Sequence, residues 1–153
     1  MNIVKVAFVT FLVLVTFAMS TCRSGDTVCG DSRWKENRER WQEQKILDYD
    51  FVVRRFHDPQ YDYVPFLIKV RDGEPVYLSP TRENAGLELT DGYAEVGSVD
   101  RMFDLIKTAC VSGSKVEVEY DKERGFPLSI SITRPDKGIH NVDRYVIENF
   151  NRF

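Results

Sequence analysis

The chain has 153 residues, of which 42% are hydrophobic and 12% aromatic, with nine glycines and six prolines. This length and composition are typical of one packed globular domain and exclude a collagen-like or largely disordered chain. The formal net charge is −3, and the basic residues are interleaved with acidic ones, whereas duplex binding needs a dense cluster of positive charge. We therefore expect no nucleic-acid partner.

The first 21 residues have the pattern of an export signal. One positive charge at Lys5 precedes an apolar run over residues 6–19 that only two threonines interrupt. The run is shorter than the roughly 20 residues of a membrane-spanning helix, and no cluster of lysine and arginine follows it as a stop signal. We predict a signal peptide over residues 1–21, and the alternative is an uncleaved membrane anchor.

Two processing reactions fit the end of this segment. Ala18 and Ser20 are the small residues that an ordinary signal peptidase reads, which predicts cleavage after Ser20. The four residues from Met19 to Cys22 resemble a lipoprotein box, which predicts a lipid on Cys22. Either reaction places the protein in the cell envelope or outside the cell, and lipidation of Cys22 would anchor it to a membrane.

The number of cysteines favours lipidation. An exported chain with Cys22, Cys29 and Cys110 all free would hold one unpaired thiol in an oxidising compartment. Lipidation of Cys22 leaves two, which could form a disulfide that closes a loop of about 80 residues. The other interpretation is that Cys110 is a buried thiol.

Residues 22–31 show no periodicity and are predicted to be a tether, followed by a single domain over residues 32–153. A helix is expected to begin after Ser32, a suitable N-cap residue. Trp34 and Trp41 lie seven residues apart on one face of this helix, among strong helix formers. The tryptophans should dock it on the core.

From Tyr49 the apolar period changes to two, which predicts strands. The inward residues are expected to be Tyr49, Phe51 and Val53, and then Phe66, Ile68 and Val70. Asp72 and Gly73 suit a type I′ hairpin, in which both central residues have positive φ, and a third strand is expected over residues 75–78. Residues 79–97 are predicted to be a long loop with a short strand near 93–96.

A second helix is predicted after Ser98, followed by three more strands. Its apolar stripe contains Val99, Met102, Phe103, Ile106 and Cys110. Alternation then predicts strands near 116–120, 128–132 and 142–150. The sequence therefore predicts an α+β fold with one antiparallel sheet and two helices on one face, in the order of two α-β-β-β units.

Asp121, Gly125 and Pro127 form the most distinctive local pattern of the second half. An aspartate at a strand end accepts turn amides, a glycine supplies positive φ, and a proline enters a strand at an edge. We expect a turn here rather than an acid at a catalytic site.

Several motifs together resemble the bacterial domain-of-unknown-function family 6174, a family of small exported or lipid-anchored proteins. They are Arg40-Trp41, Tyr49-Asp50-Phe51, Val70-Arg71-Asp72-Gly73, Ser98-Val99-Asp100, Met102-Phe103-Asp104-Leu105-Ile106, Val116-Glu117-Val118-Glu119-Tyr120-Asp121, Gly125-Phe126-Pro127 and Ser129-Ile130-Ser131-Ile132. The resemblance covers residues 38–150 and implies no particular activity.

The chain departs from this family at two places. Many members have two closely spaced cysteines at the end of the first strand, where this chain has Phe56, His57 and Asp58. Members also tend to have acidic residues after the Ser-Ile-Ser-Ile strand, where this chain has Thr133 and Arg134. A redox, disulfide or metal role at these positions is therefore not carried over to this protein.

Catalytic motifs are missing from the sequence. His57 and His140 each have an aspartate nearby, Asp58 and Asp143, but no metal-ligand spacing such as His-x-x-x-His or Cys-x-x-Cys occurs. Neither does a nucleophile elbow or a glycine-rich phosphate loop. We expect no metal and no cofactor.

Arg55, Tyr61 and Tyr63 are the predicted binding residues, because arginine and tyrosine are enriched at interfaces. The expected function is a non-enzymatic envelope binding module whose partner is a protein, a glycan or a lipid. The alternative is an envelope hydrolase that uses carboxylates such as Asp121 and Asp143. Two catalytic carboxylates of that kind must lie about 5 to 9 Å apart.

Overall fold

The computed structural model describes residues 28–57, 61–82, 91–135 and 142–153. The predicted signal peptide, Cys22 and most of the predicted tether lie outside these residues. Val28 and Cys29, predicted to lie within the tether, belong instead to the packed domain. Val28 is 2% exposed and its amide donates to the carbonyl of Val116 at 3.0 Å. Cys29 forms a disulfide with Cys110, so the second of the two interpretations of Cys110 was wrong.

The described residues form two long helices and a six-stranded antiparallel sheet, with one short helix and one short strand. In chain order the elements are α1 (Arg33–Glu43), β1 (Tyr49–His57), β2 (Tyr61–Asp62), β3 (Phe66–Arg71), β4 (Glu74–Pro80), α2 (Asp91–Ala94), α3 (Val99–Val111), β5 (Lys115–Tyr120), β6 (Pro127–Thr133) and β7 (Val142–Arg152). The strand order is β4-β3-β1-β7-β6-β5, and β2 pairs with β1 alone. The predicted α+β fold is confirmed.

Both long helices lie on one face of the sheet. The inward side chains of the strands share a single core with Trp41 of α1 and with Met102, Phe103 and Ile106 of α3. The helices also contact each other, because the Trp34 ring packs edge-on against Phe103 and its indole N–H donates to the Phe103 carbonyl at 3.0 Å. One face of the sheet is therefore covered and the other is not packed by α1 or α3.

The order helix-strand-strand-strand occurs twice, with β2 and α2 as small additions. Both halves progress across the sheet in the same direction, and β1 of the first half pairs with β7 of the second. All neighbouring strands are antiparallel, so each strand of the first half runs opposite to its counterpart in the second, as β1 does to β5. Both helices nevertheless lie on the same face, so the two halves are related as mirror images and no rotation superimposes them. The halves therefore share element order alone.

Two local predictions at chain turns are confirmed. Asp72 and Gly73 have φ of 51° and 79°, as the type I′ hairpin requires. The Asp121 carboxylate accepts the amides of Glu123 and Arg124 at 3.0 and 2.6 Å. Pro127, however, begins β6 between two other strands instead of at a sheet edge. The first position of a strand tolerates the missing N–H equally well.

The region before α3 differs from its prediction, because Asp91–Ala94 is a helix and not a strand. Tyr93 and Val96 are both buried, at 1% and 0% exposure, and they lie three residues apart, close to one helical turn. The Tyr93 hydroxyl donates to the Val64 carbonyl at 2.9 Å. Residues 83–90 of the predicted loop lie outside the described ranges.

The two predicted helix caps behave differently. The Ser98 hydroxyl accepts the amide of Arg101 at 3.3 Å, as an N-cap should. Ser32 has helical dihedral angles and caps no amide with its side chain, so its expected role was wrong. Its hydroxyl donates instead to the Glu36 carboxylate at 2.7 Å.

Replacing Gly125 by alanine should destabilise the fold more than replacing Gly113, although both glycines have positive φ, of 82° and 79°. A Cβ on Gly125 would lie 2.4 Å from the backbone oxygen of Asn37 in α1, whereas a Cβ on Gly113 meets nothing within 4 Å. We expect Gly113→Ala to cost about 1 to 2 kcal/mol of unfolding free energy, and Gly125→Ala to cost about 1 to 3 kcal/mol more. Urea denaturation measures both, and equal losses would contradict close packing of this turn on α1.

Candidate functional site

One end of the sheet gathers four charged or titratable side chains, Arg55, His57, Arg134 and Asp143, which we call the Asp143 cluster. His57 of β1 pairs directly with Asp143 of β7, and Asp143 pairs on its other side with Ile132 of β6. Arg134 follows Ile132 by two residues. Because strand side chains alternate, all four point to the face that also holds the core.

The Asp143 carboxylate is buried and its three partners are partly exposed. Oδ1 accepts a hydrogen bond from the Arg55 guanidinium at 3.0 Å and lies 2.8 Å from Nδ1 of His57. Oδ2 forms an ion pair with Arg134. The side chain of Asp143 is 2% exposed, whereas those of Arg55, His57 and Arg134 are 25%, 31% and 28% exposed. A buried anion thus fixes three side chains that solvent reaches.

Asp143 is ionised at neutral pH. Burial by itself raises the pKa of its carboxyl, but hydrogen bonds from Arg55, His57 and Arg134 outweigh burial and hold the pKa below the ordinary value of 3.8. Burial lowers the pKa of Arg55, but Tyr145 and Asp143 raise it by more, so the guanidinium stays charged. Burial raises the pKa of Tyr145 to about 12, which keeps that phenol neutral.

Of the three predicted binding residues, the structure brings Arg55 and Tyr63 together. The guanidinium carbon of Arg55 lies 5.5 Å from the centre of the Tyr63 ring and 5.8 Å from that of Tyr145. The amide of Tyr63 also donates to the Arg55 carbonyl at 3.0 Å. Tyr61 pairs with His57 through the backbone, and its side chain lies outside the described residues.

The two carboxylates of the hydrolase alternative lie far apart. Ile132 of β6 pairs with Asp143 on one side and with Val116 on the other. The Asp143 cluster therefore lies at the same height in the sheet as Val116, near the start of β5. Asp121 follows the other end of β5, about 16 Å further along the strand direction. The pair therefore does not have the spacing of a glycosidase acid pair.

Of the two histidines weighed as metal ligands, His57 has a described side chain, and its Nδ1 is taken by Asp143. Asp58 and His140 lie outside the described ranges. In the part of the chain that the structure describes, no group of three or more His, Cys, Asp or Glu side chains is placed to hold a metal ion. Nor does any helix of that part have the length and apolar character needed to cross a membrane.

Sequence analysis did not identify Arg134 as a site residue or Asp143 as the centre of a cluster. A signal for Asp143 was present, because it occupies an inward position of β7, two residues before the buried Tyr145. A charged residue at an inward position needs a partner. No sequence signal names that partner, since Arg55 and His57 are separated from Asp143 by 88 and 86 residues.

Residues 33–152 match the model of a family described as Family of unknown function (DUF6174). The chain belongs to this family. The match spans both long helices, all the strands and the Asp143 cluster, which confirms the resemblance drawn from the motifs. No curated protein and no solved structure matches the chain. The family has no assigned activity, so any function must be argued from the site itself.

Asp143→Asn should destabilise the fold at pH 7 by about 2 to 4 kcal/mol, because it leaves two partly buried arginines without their anion. The lowered pKa means that the carboxylate contributes stability above pH about 4, and that this contribution is lost as the pH falls through the folded-state pKa. The variant should therefore lose less stability than the wild type on acidification from about pH 4 to 2. Urea denaturation across this range measures the difference.

Asp104→Asn is the matched control for this prediction. Asp104 pairs with Arg38 at 3.3 Å, but its side chain is 64% exposed, so its loss should cost less than about 1 kcal/mol. An Asp143→Asn variant no less stable than Asp104→Asn would show that the cluster contributes little to the fold.

Proposed function

We propose that this protein is an exported, membrane-anchored envelope binding module without enzymatic activity, and that its contact surface is the Asp143 cluster with Tyr61 and Tyr63. The observation that carries the proposal is the arrangement around Asp143. Two arginines and a histidine, on β1 and directly after β6, are held in place by one buried carboxylate and remain partly open to solvent. Fixed arginine and tyrosine side chains are what recognition surfaces use.

The state of the carboxylates supports binding over proton transfer. Asp143 is ionised and engaged by three partners, whereas a general acid must hold a proton near neutral pH. Asp121 accepts two turn amides at the other end of β5. The hydrolase alternative gains no support from either residue.

Export is supported by the leader pattern of residues 1–21 and by the Cys29–Cys110 disulfide, which bridges 81 positions of the chain. Disulfides of this kind persist in oxidising compartments such as the periplasm or the exterior of the cell. With Cys29 and Cys110 bonded to each other, Cys22 is the remaining cysteine, which suits a lipid anchor.

The mass of the mature N-terminus, measured on protein isolated from its native membrane, tests the anchor directly. We expect the chain to begin at Cys22 with the added mass of acyl chains, and to show no free thiol before reduction. Cleavage after Ser20 with no lipid would make the protein a soluble exported one. A chain that keeps Met1 and is recovered from the cytosol would refute export.

Capture from native membranes tests the contact surface. The pair Arg55→Gln and Tyr61→Ala should abolish capture of the partner that wild-type chain retains, because it removes the charge and the ring of two of the three predicted binding residues. Tyr77→Ala is the matched control, since Tyr77 is 47% exposed on β4, at the edge of the sheet. Equal capture by the wild type and the first variant, with both shown to be folded, would remove this surface from the proposal.

A further inference from the structure

We propose that the exposed side of the Asp143 cluster binds a phosphate group. This inference rests on the proposed function, because it names the ligand chemistry of the same surface. Asp143 uses only part of what its partners offer: one N–H group of Arg134 and Nδ1 of His57. The other N–H groups of Arg134 have no protein partner among the described residues, and neither has Nε2 of His57, which can donate when the imidazole is protonated. Both side chains are about 30% exposed, at 28% and 31%.

Charge and hydrogen bonding at the cluster both favour an oxyanion. Two arginines against one aspartate leave one surplus positive charge, even with a neutral His57. Forked guanidinium groups match the oxygens of phosphate. A bound phosphate would compensate the surplus charge and accept from donors that Asp143 leaves unused.

Acidic side chains near the cluster are few among the described residues. Glu117 of β5 is paired with Lys115 at 2.7 Å. Glu95 lies in the segment before α3 and is exposed, and its negative charge contributes to the raised pKa of Tyr145. Neither forms an ion pair with Arg55 or Arg134, so neither occupies the donors that the phosphate would use.

The position of the chain's entry into the domain favours membrane headgroups as the source of the phosphate. Val116, Ile132, Asp143 and His57 form one row across β5, β6, β7 and β1. Val28 bonds to Val116 at the outer edge of β5, three strand spacings, or about 14 Å, from Asp143. Cys22 precedes Val28 by six residues, which reach at most about 20 Å. A lipid on Cys22 would thus hold this end of the sheet near the bilayer surface.

The rate at which phenylglyoxal modifies Arg134, read by peptide mass spectrometry on the full mature chain, tests the inference. Inorganic phosphate should slow the reaction about fivefold at about four times its Kd, since four-fifths of the chain is then bound. Sodium chloride at equal ionic strength should not slow it. Arg152 is exposed at the far end of β7 and serves as the internal reference.

The lipid arm uses the anchored chain in two kinds of vesicle. Phosphatidylglycerol vesicles should protect Arg134, and vesicles of an uncharged galactolipid, which lack phosphate, should not. Protection by inorganic phosphate without protection by phosphatidylglycerol would overturn the membrane source and leave a site for a soluble phosphate. Equal protection of Arg134 and Arg152 would reveal nonspecific attraction and overturn the site.

Two variants separate a phosphate site from a purely structural cluster. His57→Gln should raise the Kd for inorganic phosphate about tenfold, because it removes the Nε2–H group that the protonated imidazole would donate to the charged ligand. Arg144→Gln should leave the Kd unchanged, because Arg144 is exposed and points to the opposite face of β7. No protection of Arg134 by either phosphate source overturns the inference. The inorganic-phosphate arm needs no lipid on Cys22, so it can succeed or fail independently of the anchor.

Discussion

The antiparallel pairing of β1 with β7 holds the two halves of this protein together. It joins the first long strand of the domain to the last, and its register places His57 opposite Asp143 and Arg55 opposite Tyr145. Near the other end of β1, a register shift around Asp50 and Val52 accompanies the positive φ of Asn149. The shift returns Phe150 to the helix side, where it packs against Trp41 and Tyr49. The central pair therefore organises both the core and the cluster.

The charge buried in this pair requires its own compensation. An ionised carboxylate that is 2% exposed is strongly unfavourable unless cations and donors surround it. Asp143 obtains them from Arg55 and His57 of β1 and from Arg134, which follows β6. These bonds connect the ends of β1, β6 and β7. A structural need thereby fixes arginine and histidine side chains at a surface. Those fixed side chains are the basis of both proposals about recognition.

Much of the fold could be predicted because its signals are local. The alternation of Phe66, Ile68 and Val70, the Asp72-Gly73 turn and the stripe of α3 each follow from residues close in sequence. Two of the errors came where a short segment fits two patterns. Tyr93 and Val96 fit a strand as well as a helix. Val28 lies in a stretch without apolar periodicity, so only its contact with Val116 shows that it belongs to the packed domain.

The sequence by itself determined the two long helices and the six long strands, the α+β class and the family, because periodicity, turn chemistry and motif order are properties of neighbouring residues. It also indicated Arg55 and Tyr63 by composition. Only the tertiary structure decided that β1 lies beside β7, that Cys29 meets Cys110, and that Arg134 shares a carboxylate with Arg55. These are contacts between residues distant in the chain. Such contacts are set by strand order and register, which no local pattern encodes.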